Sequence, residues 1–182
     1  MRRIVVVGTS GAGKTTLARQ LGELLGIPAI ELDALHWDPD WQPALLPVLR
    51  ERVAGALRGD GWVVDGNYSK LRDLTWGCAD TVVWLDYTLP VIMTRLVQRT
   101  FGRVFSGEEL WNGNRERLGK ALWSKDSILL WALQTYRPNR RKYAEFLAQP
   151  EHAHLSIIHH RSPRETRAWL ILTERTLSST DL

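Results

Sequence analysis

The chain has 182 residues, 44% hydrophobic and 24% charged, the balance of an ordinary globular domain long enough to bury one full core. No apolar run approaches the roughly 18 residues of a membrane span, and the start Met1-Arg2-Arg3 plus four apolar residues is too short for a secretory leader. The single cysteine, Cys78, excludes an internal disulfide framework, fits a reducing cytoplasm and reads as a small buried or half-buried side chain.

Net charge is +4, unevenly spread: residues 1–88 carry 9 Lys+Arg against 11 Asp+Glu, whereas residues 89–182 carry 15 against 9. Such a field suits a polyanion, either a nucleoside triphosphate or nucleic acid. In chain order, short apolar runs alternate with longer helical patterns. The runs are Ile4–Val7, Ala29–Leu32, Trp62–Val64, Thr81–Leu85 and Leu155–Ile158. This alternation predicts an α/β domain with a parallel sheet and helices on both faces. The first helix is expected to start near Gly13, with Leu17, Leu21, Leu24 and Leu25 on one face, and to end at Gly26 and Pro28. A second is expected over Ala44–Leu57. A third follows Pro90 and sets Arg95, Arg99 and Arg103 along one face at four-residue spacing. Ser106-Gly107-Glu108-Glu109 and Ser162-Pro163-Arg164-Glu165 carry the capping-box pattern, the latter opening the last helix. Residues 106–148 show helical signals alone, as an insertion on the sheet scaffold.

Between the first run and the first helix stands Gly8-Thr9-Ser10-Gly11-Ala12-Gly13-Lys14-Thr15, a complete G-x-x-x-x-G-K-[ST] match in its proper strand-to-helix context, followed by Thr16. Glycines let the backbone wrap phosphate oxygens at dihedrals a Cβ would oppose. Successive N–H groups and the helix N-terminus aim partial positive charge at the anion. Lys14 is expected to reach the β- and γ-phosphates of ATP, and the Thr15 hydroxyl to ligate Mg²⁺.

Ligands of an open α/β sheet lie at the carboxyl ends of its strands, and three runs here end in aspartate. Asp65 follows Trp62-Val63-Val64 in the Walker B manner, a candidate to hold Mg²⁺ through a bound water. Asp33 follows the second run, where a carboxylate can take the proton of an attacking hydroxyl. Asp86 reads more readily as a strand-end turn former, a role open to the other two as well.

Three segments carry a resemblance: Glu31–Trp37, Asp65–Ser69 and Leu110–Glu116. With them the chain resembles bacterial adenylate kinase-related P-loop proteins, often labelled DNA topology modulation proteins, within the nucleoside/nucleotide and shikimate kinase-like group. The resemblance implies one P-loop kinase domain over residues 1–182 with a five-stranded parallel sheet of order 2-3-1-4-5. It also implies an acceptor-binding region at 34–61 and a helical lid at about 100–148. Asp65-Gly66 is similar to the Asp-Gly-Phe-Pro-Arg segment of adenylate kinases. Here Asn67-Tyr68-Ser69 replaces Phe-Pro-Arg, so the arginine is missing at that position and Arg72 is its candidate substitute.

Arg99 and Arg103 stand where nucleotide kinases place arginines that neutralise charge on the transferred phosphoryl group. Arg115 and Arg117 are candidates to close over the triphosphate, and Arg95 reads as structural or supporting. Of the nine tryptophans, Trp37 and Trp41 fall in the acceptor region as a stacking platform, while Trp62, Trp84, Trp131 and Trp169 are expected in the core. His36 is a candidate to face the acceptor. The other four histidines have no metal-ligand spacing. The basic run Arg137–Lys142 is a solvated helix end or a nucleic-acid patch. The sequence thus favours an ATP-dependent phosphotransferase for a small molecule, with ATP/ADP as partners. The rival is a slow P-loop NTPase with a regulatory or DNA-associated role.

Overall fold

The computed structural model describes residues 1–106, 110–114 and 128–180. The chain runs β1 (Arg3–Gly8), α1 (Lys14–Leu25), β2 (Ala29–Glu31), α2 (Leu32–His36), β3 (Trp37–Asp38), β4 (Gln42–Pro43) and α3 (Leu46–Ala56). It continues with β5 (Trp62–Asp65), α4 (Arg72–Thr75), β6 (Thr81–Leu85), α5 (Leu89–Ser106), α6 (Ile128–Leu147), β7 (Ser156–His160) and α7 (Pro163–Thr180).

Five strands form one parallel sheet in the order β2-β5-β1-β6-β7. Among the sheet strands alone, that is the expected 2-3-1-4-5. The labels differ because β3 and β4 form a separate antiparallel ribbon, unforeseen because it is only two residues long on each side. Alternation along β1 divides the core. Val5 and Val7 face one cluster with Val64, Leu49, Val53 and Trp76, while Ile4 and Val6 face another with Leu17, Leu21, Ile92 and Leu96. Both faces are covered, which is why the strands read as continuous apolar runs.

Several side chains sit otherwise than expected. Trp131 is 57% exposed, because α6 turns Ala132 and Tyr143 inward and leaves Trp131 on a different face. Trp62 and Trp84 are buried and Trp169 is half-buried, as read. Cys78 is exposed in the turn before β6. The second run ends as strand at Glu31, so Asp33 belongs to the first turn of α2 rather than to a strand end.

The capping box of α7 forms. The Glu165 carboxylate accepts from the Arg161 N–H at 2.7 Å and the Ser162 hydroxyl at 3.0 Å, while the Glu165 N–H donates to Ser162 Oγ at 3.3 Å. The pattern at Ser106–Glu109 extends outside the described residues. Within the region read as a lid, α6 is core-packing helix: Tyr143 is 3% exposed, and α6 packs along α5.

Candidate active site

The loop between β1 and α1 is held open by its own backbone. Gly11 has φ +85, and a Cβ there would lie 2.5 Å from Leu96 Cγ, so a side chain would be both strained and obstructed. Gly13 caps α1 with no side-chain hydrogen bond, and no acidic residue stands in the first turn. The N–H groups at this helix end therefore have no side-chain cap of their own and are open to a bound phosphate. Thr9 and Ala12 are buried, Ser10 and Lys14 are half-buried, and Thr16 is exposed.

Two side chains from elsewhere brace the loop. Arg95 Nη1 donates to the Ala12 carbonyl at 2.9 Å, with its guanidinium 5.2 Å from the Tyr87 ring centre. Asn67 Nδ2 donates to the Gly8 carbonyl at 2.6 Å. Arg95 accordingly has the supporting role read for it. Asn67 was not read as a site residue. The only hint lay in its place beside Asp65-Gly66.

At the helix mouth the Thr15 hydroxyl donates to Asp65 Oδ2. Asp65 is 7% exposed, and its other oxygen, Oδ1, is buried without a hydrogen-bond partner among the described residues. Burial pushes its carboxyl pKa up, Lys14 and the Thr15 bond oppose that, and Asp33 and Glu31 add to it. A buried carboxylate with one unsatisfied oxygen, bonded to the P-loop threonine, fits a Mg²⁺ site. Among the described residues no group of three or more His, Cys, Asp or Glu could hold a metal by itself. The phosphates and water would therefore supply most ligands, as is usual for Mg²⁺.

This geometry sets a stability test. A group whose folded pKa is raised favours folding below its unfolded value, near 3.9, and loses that contribution as pH rises through the folded value. At pH 7 the Asp65 charge therefore opposes folding. Asp65→Asn is expected to raise the melting temperature of the nucleotide-free protein at pH 7 by about 2–4 °C. The gain should shrink toward pH 4. A melting temperature lowered at pH 7 would mean that Asp65 stabilises the apo fold instead.

Asp33 stands beyond β2, whose Glu31 lies in register with Asp65 on β5. The approach of α2 to this strand end depends on Gly66, at φ +151, where a Cβ would meet Leu32 Cβ at 2.8 Å. The Tyr68 hydroxyl donates to Asp33 Oδ1 at 2.5 Å. Burial and then the Asp33 charge push the Tyr68 pKa up, so the phenol stays a proton donor.

From Asp33 an aromatic wall extends. His36 contacts Tyr68 and Trp37 edge-on at 5.0 and 4.6 Å, Trp37 meets Trp41 at 5.7 Å, and Trp41 meets Trp111 at 6.4 Å. Trp111 Nε1 donates to Glu31 Oε2 at 3.0 Å, and Arg19 pairs with the other oxygen of Glu31 at 2.5 Å. Trp111–Asn114, within the stretch read as a lid, docks on Glu31, Trp37, Asp38 and Trp41. Asn114, 4% exposed, donates to the Asp38 carbonyl at 3.0 Å and accepts from the Trp41 N–H at 2.8 Å. Asn112 Nδ2 donates to the Trp37 carbonyl at 2.5 Å.

The arginines divide. Arg99 is half-buried on α5, one turn beyond Arg95. Arg103 belongs to the same helix, but its side chain, like Arg115 and Arg117, lies outside what the structure describes. Arg72 is taken up elsewhere, over the Phe146 ring at 3.7 Å and the Trp76 ring at 5.1 Å. That aromatic setting lowers its pKa through burial, and Arg72 does not replace the missing adenylate kinase arginine. Asp86, read as a strand-end turn former, is instead paired with Arg140 at 2.5 Å and His159 at 3.1 Å.

Sheet order and P-loop agree with those of solved structures. The fold is that of P-loop kinases. A shikimate kinase from Bacteroides thetaiotaomicron matches with a TM-score of 0.54 at 16% identity, over 98% of this chain and 97% of that one. A sugar kinase from Janibacter sp. HTCC2649 matches with a TM-score of 0.51 at 23% identity, over 100% and 95%. A gluconokinase from Sinorhizobium meliloti 1021 matches with a TM-score of 0.50 at 20% identity, over 100% and 98%. No protein-family model matches the chain, and no curated protein matches its sequence. Among the described residues no helix is long and apolar enough to cross a membrane.

Proposed function

We propose that the chain is an ATP-dependent phosphotransferase that moves the γ-phosphate of Mg-ATP to a hydroxyl of a small-molecule acceptor. The observation that carries this reading is the hydrogen bond joining Thr15 to a buried, otherwise unsatisfied Asp65, with Asp33 in electrostatic reach. The amides of Gly8–Thr15 and Lys14 bind the phosphates, and Thr15 and Asp65 would hold Mg²⁺, which would supply positive charge to the phosphates. Asp33 takes the proton from the acceptor hydroxyl; Tyr68 fixes one carboxylate oxygen and leaves Oδ2 for that task. Arg99 and Arg103 neutralise charge on the transferred group. The motifs at Asp65–Ser69 and Leu110–Glu116 extend the reading to the adenylate kinase-related group.

The basic run favours this over a DNA-associated NTPase. Arg140 is committed to the buried Asp86, so the run gives one of its cations to the fold, while Arg141 pairs with Glu145 in solvent at 2.7 Å. The test is a screen of hydroxylated metabolites for ADP release above the ATP-only rate, run beside duplex DNA at several salt concentrations. One or more small molecules should raise ADP release at least about 10-fold. Salt-sensitive duplex binding with no acceptor-stimulated ADP release would overturn the proposal.

A further inference from the structure

We infer that the acceptor is an uncharged hydroxylated ring, a sugar or an unphosphorylated nucleoside, laid against the wall of Trp37, Trp41 and Trp111. The inference rests on the kinase reading and names the substrate class for that same site.

The first support is the wall itself. All three indoles are half-exposed, and they pack edge to face along one side of the segment that carries Asp33. Such faces match the apolar face of a sugar or the plane of a base. The core does not require this arrangement, yet the backbone is strained to make it. Asp40 and Trp41 stand at φ 59° and 56°, where side-chain-bearing residues are uncommon. Asn114, arriving from about 70 residues away, fixes Trp41 there by accepting its N–H. Strain held by a long-range clamp at a surface segment marks a site shaped for a ligand.

The second support is charge. Glu31, Asp33 and Asp65 put three carboxylates at this sheet end, and Lys14 belongs to the phosphates. Among the described residues, four neighbouring guanidinium groups already have partners. Arg19 is on Glu31, Arg52 is on Asp38 and the Leu35 carbonyl, Arg50 is on Asp73, and Arg72 lies over the Phe146 ring. Sites for carboxylate or phosphate normally present an arginine fork to it. An anionic acceptor here would meet Asp33 with no such fork among these four, whereas a neutral ring brings hydroxyls that the carboxylates can accept from.

The experiment compares matched pairs: adenosine with AMP, and glucose with glucuronate, which keeps the ring and adds a carboxylate. Binding to the full chain is read by ligand-observed NMR saturation transfer, with Mg²⁺ and a non-hydrolysable ATP analogue present. At least one neutral member should bind saturably, at least about 10-fold more tightly than its anionic partner. The two pairs separate a nucleoside from a sugar. Trp41→Ala and Trp111→Ala should each weaken that binding about 10-fold, while Trp111→Phe, which keeps a ring, should retain most of it. Trp131→Ala, on the exposed face of α6, is the control. Tighter binding of the anionic members, no saturable binding by either neutral ring, or no loss in the two alanine variants would overturn the inference. Failure of the kinase reading looks different: a neutral ring would bind the wall, but no ADP would be released when ATP replaces the analogue.

Discussion

Lys14→Ala is expected to weaken Mg-ATP binding about 100-fold or more by isothermal titration calorimetry, a loss of two decades or about 2.7 kcal/mol. The magnitude follows from removing a charge-assisted contact to the β- and γ-phosphates at a site the backbone has already organised. The loop itself should survive, because it is braced by Arg95 on the Ala12 carbonyl and Asn67 on the Gly8 carbonyl. The fold carries a smaller consequence. Lys14 is the chief charge opposing the rise of the Asp65 carboxyl pKa, so its removal leaves a buried acid with less compensation. The variant should melt slightly lower at pH 7, and adding Asp65→Asn should recover that loss without recovering nucleotide binding. Unchanged ATP affinity in Lys14→Ala would defeat the P-loop assignment.

What the sequence revealed and what it hid follow from chain distance. The phosphate loop was legible because strand, glycines, lysine and helix are contiguous, and each residue type has a local reason to be there. Asp65 was legible because a buried strand ending in an acid is itself a local pattern. The division of the sheet was legible too, since both faces are covered and the strands are uniformly apolar. The clamp at Trp111–Asn114 was not. Its partners, Glu31, Trp37, Asp38 and Trp41, lie more than 70 positions upstream, and no periodicity links the two segments. Arg72 was misplaced for the same reason: its use is set by Phe146, which reaches it only when α6 packs down. Trp131 was misread because a large aromatic on a helix was assigned to the core by type, whereas the facing of α6 is fixed by Ala132 and Tyr143. Asp33 was found by its neighbours, yet its setting on a one-turn helix rather than a strand end required the close approach that Gly66 permits.

Asp33→Asn is expected to reduce acceptor-dependent turnover by about 100-fold or more, while Mg-ATP affinity stays within about 2-fold of wild type. The change is nearly isosteric, and the carbonyl of the substituted amide can still accept from the Tyr68 hydroxyl, so the α2 turn and the aromatic wall beyond it should hold their places. What is lost is the oxygen able to take a proton as the acceptor hydroxyl attacks. Such a loss falls on kcat, because proton transfer matters more in the transition state than in the bound complex. Tyr68→Phe should give a milder defect, about 10-fold, since the carboxylate remains but is no longer held by the phenol at 2.5 Å. Asp65→Asn should behave differently from both. It removes the charge beside Thr15, so its defect should appear as a higher Mg²⁺ requirement and should be relieved in part by raising Mg²⁺. The three variants are compared by steady-state kinetics across Mg²⁺ and acceptor concentration, using the acceptor from the ADP-release screen. If Asp33→Asn is rescued by Mg²⁺ as Asp65→Asn is, both acids serve the metal and the base must be sought elsewhere. If Asp33→Asn retains wild-type kcat, the hydroxyl is deprotonated without a side-chain base, and Asp33 belongs to acceptor binding alone.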